Sequence, residues 1–134
     1  MYKKFITFLI SSVFFISCSS KPISSIICPN RDYLNRFQDI PVPNDTCFNL
    51  KKSTIVGGPE NWFGKVYFSS KLSAELVSMD LRERMPDTGW FLINEMQGRK
   101  ILLIYEKDLR TAAIIVDRKR SGSEVFIAVA PRDQ

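Results

Sequence analysis

The chain has 134 residues, of which 45% are hydrophobic and 25% charged, and a formal net charge of +5. That is ordinary globular usage with room for one core, which excludes wholesale disorder and a multi-span membrane protein. There is no histidine, which excludes Ser-His triads, the commonest general base and the usual zinc and haem ligands.

In chain order, Lys3 and Lys4 precede an apolar run from Phe5 to Ile16, broken only by Thr7 and Ser11-Ser12. A basic start, an apolar stretch of about a dozen residues and a small-residue exit predict a signal peptide over residues 1–17. A membrane-spanning helix needs about 20 apolar residues, and Lys21-Pro22 follows too soon. The exit Phe15-Ile16-Ser17-Cys18 resembles the bacterial lipobox, which implies a diacylglyceryl group on the Cys18 thiol and cleavage just before it. The acyl chains would then hold the protein at a membrane, each buried CH₂ contributing about 0.8 kcal/mol. The alternative is ordinary cleavage near Ser19, which discards Cys18. Ser19 instead of Asp after the cysteine favours, in a Gram-negative cell, the outer membrane facing the periplasm. The expected location is therefore the cell envelope. Loss of Lys3 and Lys4 leaves +3 of the formal +5, a weak excess that suits an anionic surface.

Residues 18–39, marked by Ser, Pro and Asn, are expected to form a tether with a short helix near Tyr33 to Gln38. Pro41-Val42-Pro43 fixes an extended start to a single domain over residues 40–134. Phe48 to Val56 and Gly64 to Ser69 predict strands about the turn Gly57-Gly58-Pro59. Leu72 to Met85 predicts a helix capped by Ser70 or Ser73 and stopped by Pro86 and Gly89, with Ala74, Val77, Leu81 and Met85 on one face. Strands follow at Trp90 to Gln97, Ile101 to Lys107, Thr111 to Asp117 and Val125 to Ala130, joined by short links that force antiparallel neighbours. The predicted fold is α+β, a five- to six-stranded antiparallel sheet with one helix on one face, in the order β-β-α-β-β-β(-β). The strands at Ile101 to Tyr105 and Val125 to Ala130 are apolar on both sides. The second face thus needs a cover: the Pro41 to Leu50 arm, the tether, a partner or a second copy.

The helix end Met85-Pro86-Asp87-Thr88-Gly89-Trp90, with Leu103-Ile104-Tyr105-Glu106-Lys107 further on, is similar to a motif of small bacterial lipoproteins of unknown function. In that family a helix ends in Met/Leu-Pro-x-x-Gly-Trp and a later strand reads Leu-x-Phe-x-Lys. The match spans roughly residues 40–131 and departs at Met79-Asp80, where relatives carry Phe-Tyr. The resemblance implies an α+β lipoprotein domain and brings no activity or site residues.

Chemistry is sparse. Cys28 and Cys47 can bridge in an oxidising compartment, or Cys47 can be a buried thiol; neither has a histidine to activate it. The acids Asp80, Glu83, Asp87, Glu95, Glu106, Asp108, Asp117 and Glu124 select no catalytic pair by spacing. Calcium loops, Walker sequences and dinucleotide glycines are missing, so no cofactor or metal site is expected. Arg118-Lys119-Arg120 is too short for a nucleic-acid footprint. Trp90, with Phe63 and Tyr67, either plugs the gap between helix and sheet or lines a ligand site. The expected function is a non-enzymatic envelope lipoprotein that binds another envelope protein as an accessory or structural subunit. The alternative is a carrier of a small apolar ligand or lipid around those three aromatics.

Overall fold

A computed structural model describes residues 25–28 and 31–132. The predicted signal peptide and the lipobox-like sequence ending in Cys18 lie outside the described residues. The chain runs β1 (Ile26–Ile27), α1 (Arg31–Leu34), β2 (Cys47–Asn49), β3 (Thr54–Val56), β4 (Phe63–Ser70) and α2 (Ala74–Arg84). A 3₁₀ turn (Met85–Thr88) then leads into β5 (Phe91–Gln97), β6 (Lys100–Lys107), β7 (Arg110–Lys119) and β8 (Gly122–Pro131). All strands join one antiparallel sheet in the order β1-β2-β4-β8-β7-β6-β5, with β3 also paired to β4.

The expected five- to six-stranded α+β sheet is therefore corrected to a β-rich fold of eight strands, with α2 the one helix of more than four residues among those described. Two local causes raise the count. The predicted strand from Phe48 to Val56 is broken at residues 50–53. There the Lys52 amide donates to Asn49 Oδ1 and the Ser53 hydroxyl to the Asn49 carbonyl, side-chain bonds that compete with a ladder. The two halves pair with opposite ends of β4. The other added strand comes from the segment expected to be tether: Ile26 and Ile27 pair with Asn49 and Phe48, and a Cys28–Cys47 disulfide clamps them there.

Alternation divides each long strand between two faces. Val66, Phe68, Leu103, Ile114, Val116, Val125 and Ile127 are buried beneath α2 and the arm formed by residues 31–46. Ser73 caps α2 by accepting from the Leu76 amide; Ala74, Val77 and Leu81 are buried with Met85 of the 3₁₀ turn, as the spacing predicts, and Ser78 is buried beside them. Beside it the arm inserts Phe37, which meets Phe48 at 5.5 Å and Trp62 at 5.8 Å between ring centroids. Phe48 in turn meets Phe68 at 5.8 Å. Arm and helix thus cover the same face, so the arm does not shield the second face as one sequence expectation had it. The supposed tether also contributes Phe37 and Asp39 to the interior.

Gly64 takes φ +129°, and a Cβ there would lie 2.0 Å from the Thr54 carbonyl oxygen. Only glycine lets β3 close on β4. Gly64→Ala is expected to lower the urea midpoint by the equivalent of about 1–3 kcal/mol from backbone strain alone. Gly98→Ala, whose Cβ meets nothing nearer than 3.7 Å, should leave the midpoint in place.

Candidate functional site

The densest polar cluster is built around Asp39. Its Oδ1 accepts from Trp62 Nε1 at 2.9 Å, and its Oδ2 accepts from Arg110 at 2.6 Å and from Lys107 at 3.3 Å. The Asp39 carbonyl takes the Trp90 indole N–H at 2.9 Å. Arg110 stands 5.0 Å from the centre of the Trp90 ring and donates to the Trp62 carbonyl at 3.4 Å. Asp39, Arg110, Trp62 and Trp90 are all buried, and every charge has its partner. A carboxylate so fully bonded ties chain segments together. Sequence inspection missed it, because a single Asp before Ile40-Pro41 carries no periodic signal.

Trp90 reaches this cluster through the Met85-Pro86-x-x-Gly89-Trp90 turn. Gly89 adopts φ +88° and the Trp90 amide donates to the Met85 carbonyl at 3.2 Å, which reverses the chain at the helix end. Of the three aromatics proposed as a site, Trp90 is thus sealed on the covered face. Tyr67 lies on the opposite face, and Phe63 is half-buried at the start of β4. The structure does not bring the three together.

The opposite face has no covering element among the described residues. Its register aligns Met96, Leu102, Ile115, Phe126 and Tyr67 as one apolar row across five strands. At the Tyr67 end the row drops into a groove of about 370 Å³ lined by Ile26, Asn49, Lys52, Tyr67, Ile115 and Phe126, among others. Tyr67 and Phe126 rings are 4.6 Å apart, and Lys52 Nζ sits 5.7 Å from the Tyr67 ring. Along one margin Lys119 bonds Asp117 and Glu124, each at 3.2 Å, and Lys100 lies 3.6 Å from Asp117. The Lys119 hydrogen bond holds the Asp117 carboxyl below its ordinary range, with Lys100 adding to the effect. The two carboxylates hold the Lys119 ammonium above its own.

A second exposed surface lies on the covered side, where α2 meets the sheet edge. Arg82 of α2 pairs with Glu95 of β5 at 2.6 Å. On the helix Met79 is 53% exposed and Leu76 46%, and on β5 Leu92 and Ile93 are exposed. A register shift between Leu92 and Asn94 interrupts this edge. Beneath it the Tyr105 hydroxyl is buried without a hydrogen-bond partner among the described residues. Burial pushes its ionisation up to about 12, opposed by Arg82 and helped by Glu95.

Among the described residues no group of His, Cys, Asp and Glu is placed to hold a metal. Of the acids named from sequence, Asp80, Glu95, Glu106, Asp117 and Glu124 are each engaged by a cation, and no two of the eight form a facing pair of carboxylates linked by a hydrogen bond. No family model matches the chain, and neither a curated protein nor a solved structure matches it.

Asp39→Ala leaves Arg110 buried without its carboxylate and is expected to cost about 3–5 kcal/mol in chemical denaturation. Tyr105→Phe removes a hydroxyl that is desolvated and unbonded, so it should raise stability by about 1 kcal/mol. In the wild type the raised phenol means that the unfolded chain ionises first. Stability is then fully present below pH 10 and is lost as pH rises toward about 12; the Tyr105→Phe variant should lose that part of the alkaline decline in a pH series of melting curves.

Proposed function

We propose that this chain is a lipid-anchored lipoprotein of the bacterial envelope that binds another envelope protein as an accessory subunit and catalyses no reaction. The address comes from the signal-like start and the lipobox at Cys18, and the resemblance of the Met85 to Trp90 turn to small lipoproteins points the same way. The observation that carries the binding function is the set of exposed apolar side chains on the two elements that the Arg82–Glu95 pair joins, Leu76 and Met79 on α2 and Leu92 and Ile93 on β5. Apolar anchors with methionine beside a satisfied polar pair have the composition of an interface core, where charged residues are depleted. Because the β-bulge interrupts the edge of β5, side chains and not a continuous added strand would supply recognition. The partner is accordingly a protein with an apolar pocket or ridge of its own.

In-cell cross-linking followed by pull-down tests this. A Met79→Glu/Ile93→Glu double variant should recover the partner at least about tenfold less well, with the melting temperature unchanged. Cys18→Ala should weaken recovery by releasing the protein from the membrane. Equal recovery by wild type and the double variant would remove this surface from the function.

A further inference from the structure

The second face of the sheet has a different geometry from the α2–β5 surface, and its chemistry selects a different occupant. We propose that this open face lies on an anionic lipid bilayer. The Tyr67–Phe126–Ile115–Leu102–Met96 row would then sit at the boundary between headgroups and acyl chains. The inference rests on the reading of Cys18 as the lipidated residue.

Three observations carry it. The first is where the chain outside the structure joins the fold. Ser25 is fixed by its carbonyl, which accepts from the Leu50 amide at 2.7 Å, and the Cys28–Cys47 disulfide locks the following residues to β2. From Cys18 to Ser25 there are seven backbone steps, a reach of at most about 25 Å. The next residue, Ile26, is 53% exposed and lines the groove on this open face. An anchor at Cys18 therefore pulls on the end of the apolar row and holds it near the membrane.

The second observation is the shape of the apolar strip. At about 4.8 Å between strands, the five residues span about 20 Å across the sheet. That is an extended strip suited to a lipid surface, with aromatic side chains at the anchored end, where interfaces favour them.

The third is charge. The acids that β6, β7 and β8 present on this face each have a cation: Glu106 has Arg132, Asp117 has Lys100 and Lys119, and Glu124 has Lys119. Lys52 and Lys65 have no ion pair among the described residues. Lys65 shares the face with Tyr67, and Lys52 stands over the Tyr67 ring. The uncompensated charge of the face is thus positive and is concentrated beside the anchored end, complementary to anionic headgroups.

The test uses the full chain, purified from envelopes and reconstituted into phosphatidylethanolamine–phosphatidylglycerol vesicles. Some of the lipids carry a nitroxide high on the acyl chain. A bimane probe is placed through Phe126→Cys, through Ile115→Cys as an independent second site, or through Met79→Cys on the opposite side. Quenching at positions 126 and 115 should exceed that at position 79 by about threefold, and Lys52→Glu/Lys65→Glu should reduce the excess by about half. Equal quenching on both sides, in protein that floats with the vesicles, overturns the proposal and leaves the anchored reading standing. So does a probe at position 126 shielded from aqueous iodide but unquenched by lipid, since a protein or a second copy then covers the face. Wild type that fails to float overturns the proposal together with the anchor on which it rests.

Discussion

The fold depends on one buried carboxylate. Asp39 receives two indole N–H groups, one through its side chain and one through its carbonyl, and two cations from the ends of β6 and β7. It thereby fastens the arm, the loop before β4, the helix end and the sheet at a single point. An ion pair in such a place gives less net stability than its short distances suggest, because desolvation offsets most of the attraction. Its effect is on arrangement. Other apolar packings of Phe37, Trp62 and Trp90 would strand the Arg110 guanidinium in the interior, and that cost selects the observed one.

With the arm fixed over one half of the sheet and α2 over the other, both covering elements are spent on the same face. An antiparallel sheet of this width needs only one buried face to be stable, and the other is free to meet whatever surrounds it. The chain uses that freedom unevenly. Rows of charge at the margins are closed by internal pairs, while the middle row is left apolar. The edges differ as well: β1 has two residues and is covalently clamped, and β5 has seven and is broken by a bulge. Both devices make indiscriminate edge-to-edge association unfavourable.

Much of the C-terminal half was legible in the sequence. The Ala74, Val77, Leu81 and Met85 spacing identified the helix face, and short polar links identified the hairpins, because both signals are local. Double-sided apolar character in β6 and β8 signalled a second face in need of cover, but not that the Pro41 to Leu50 arm would pack on the same side as the helix. The N-terminal half was less legible. The break after Asn49 depends on side chains that bond their own backbone, which periodicity does not register. The placement of Phe37 and Asp39 depends on residues 107 and 110, far along the chain. The three aromatics Phe63, Tyr67 and Trp90 were grouped by type, and strand parity then separated Tyr67 from Trp90.

The position of β8 in the sheet has a consequence for the order of assembly. Strands β5 to β8 each pair with their neighbour in sequence, so they can form as successive hairpins. β4 instead pairs with β8 across the intervening helix and three strands, matching Gly64 to Val129 and Ser70 to Ser123. The N-terminal strands are joined to the rest of the sheet through that ladder. A chain emerging from its N-terminus can pair β4 with β2 and β3 early, but must hold the other edge of β4 open until residues 123–131 arrive. Closure of this long loop, more than any hairpin, is where the conformational search for the sheet is concentrated. During synthesis the sheet would remain in two parts until the residues of β8 had emerged.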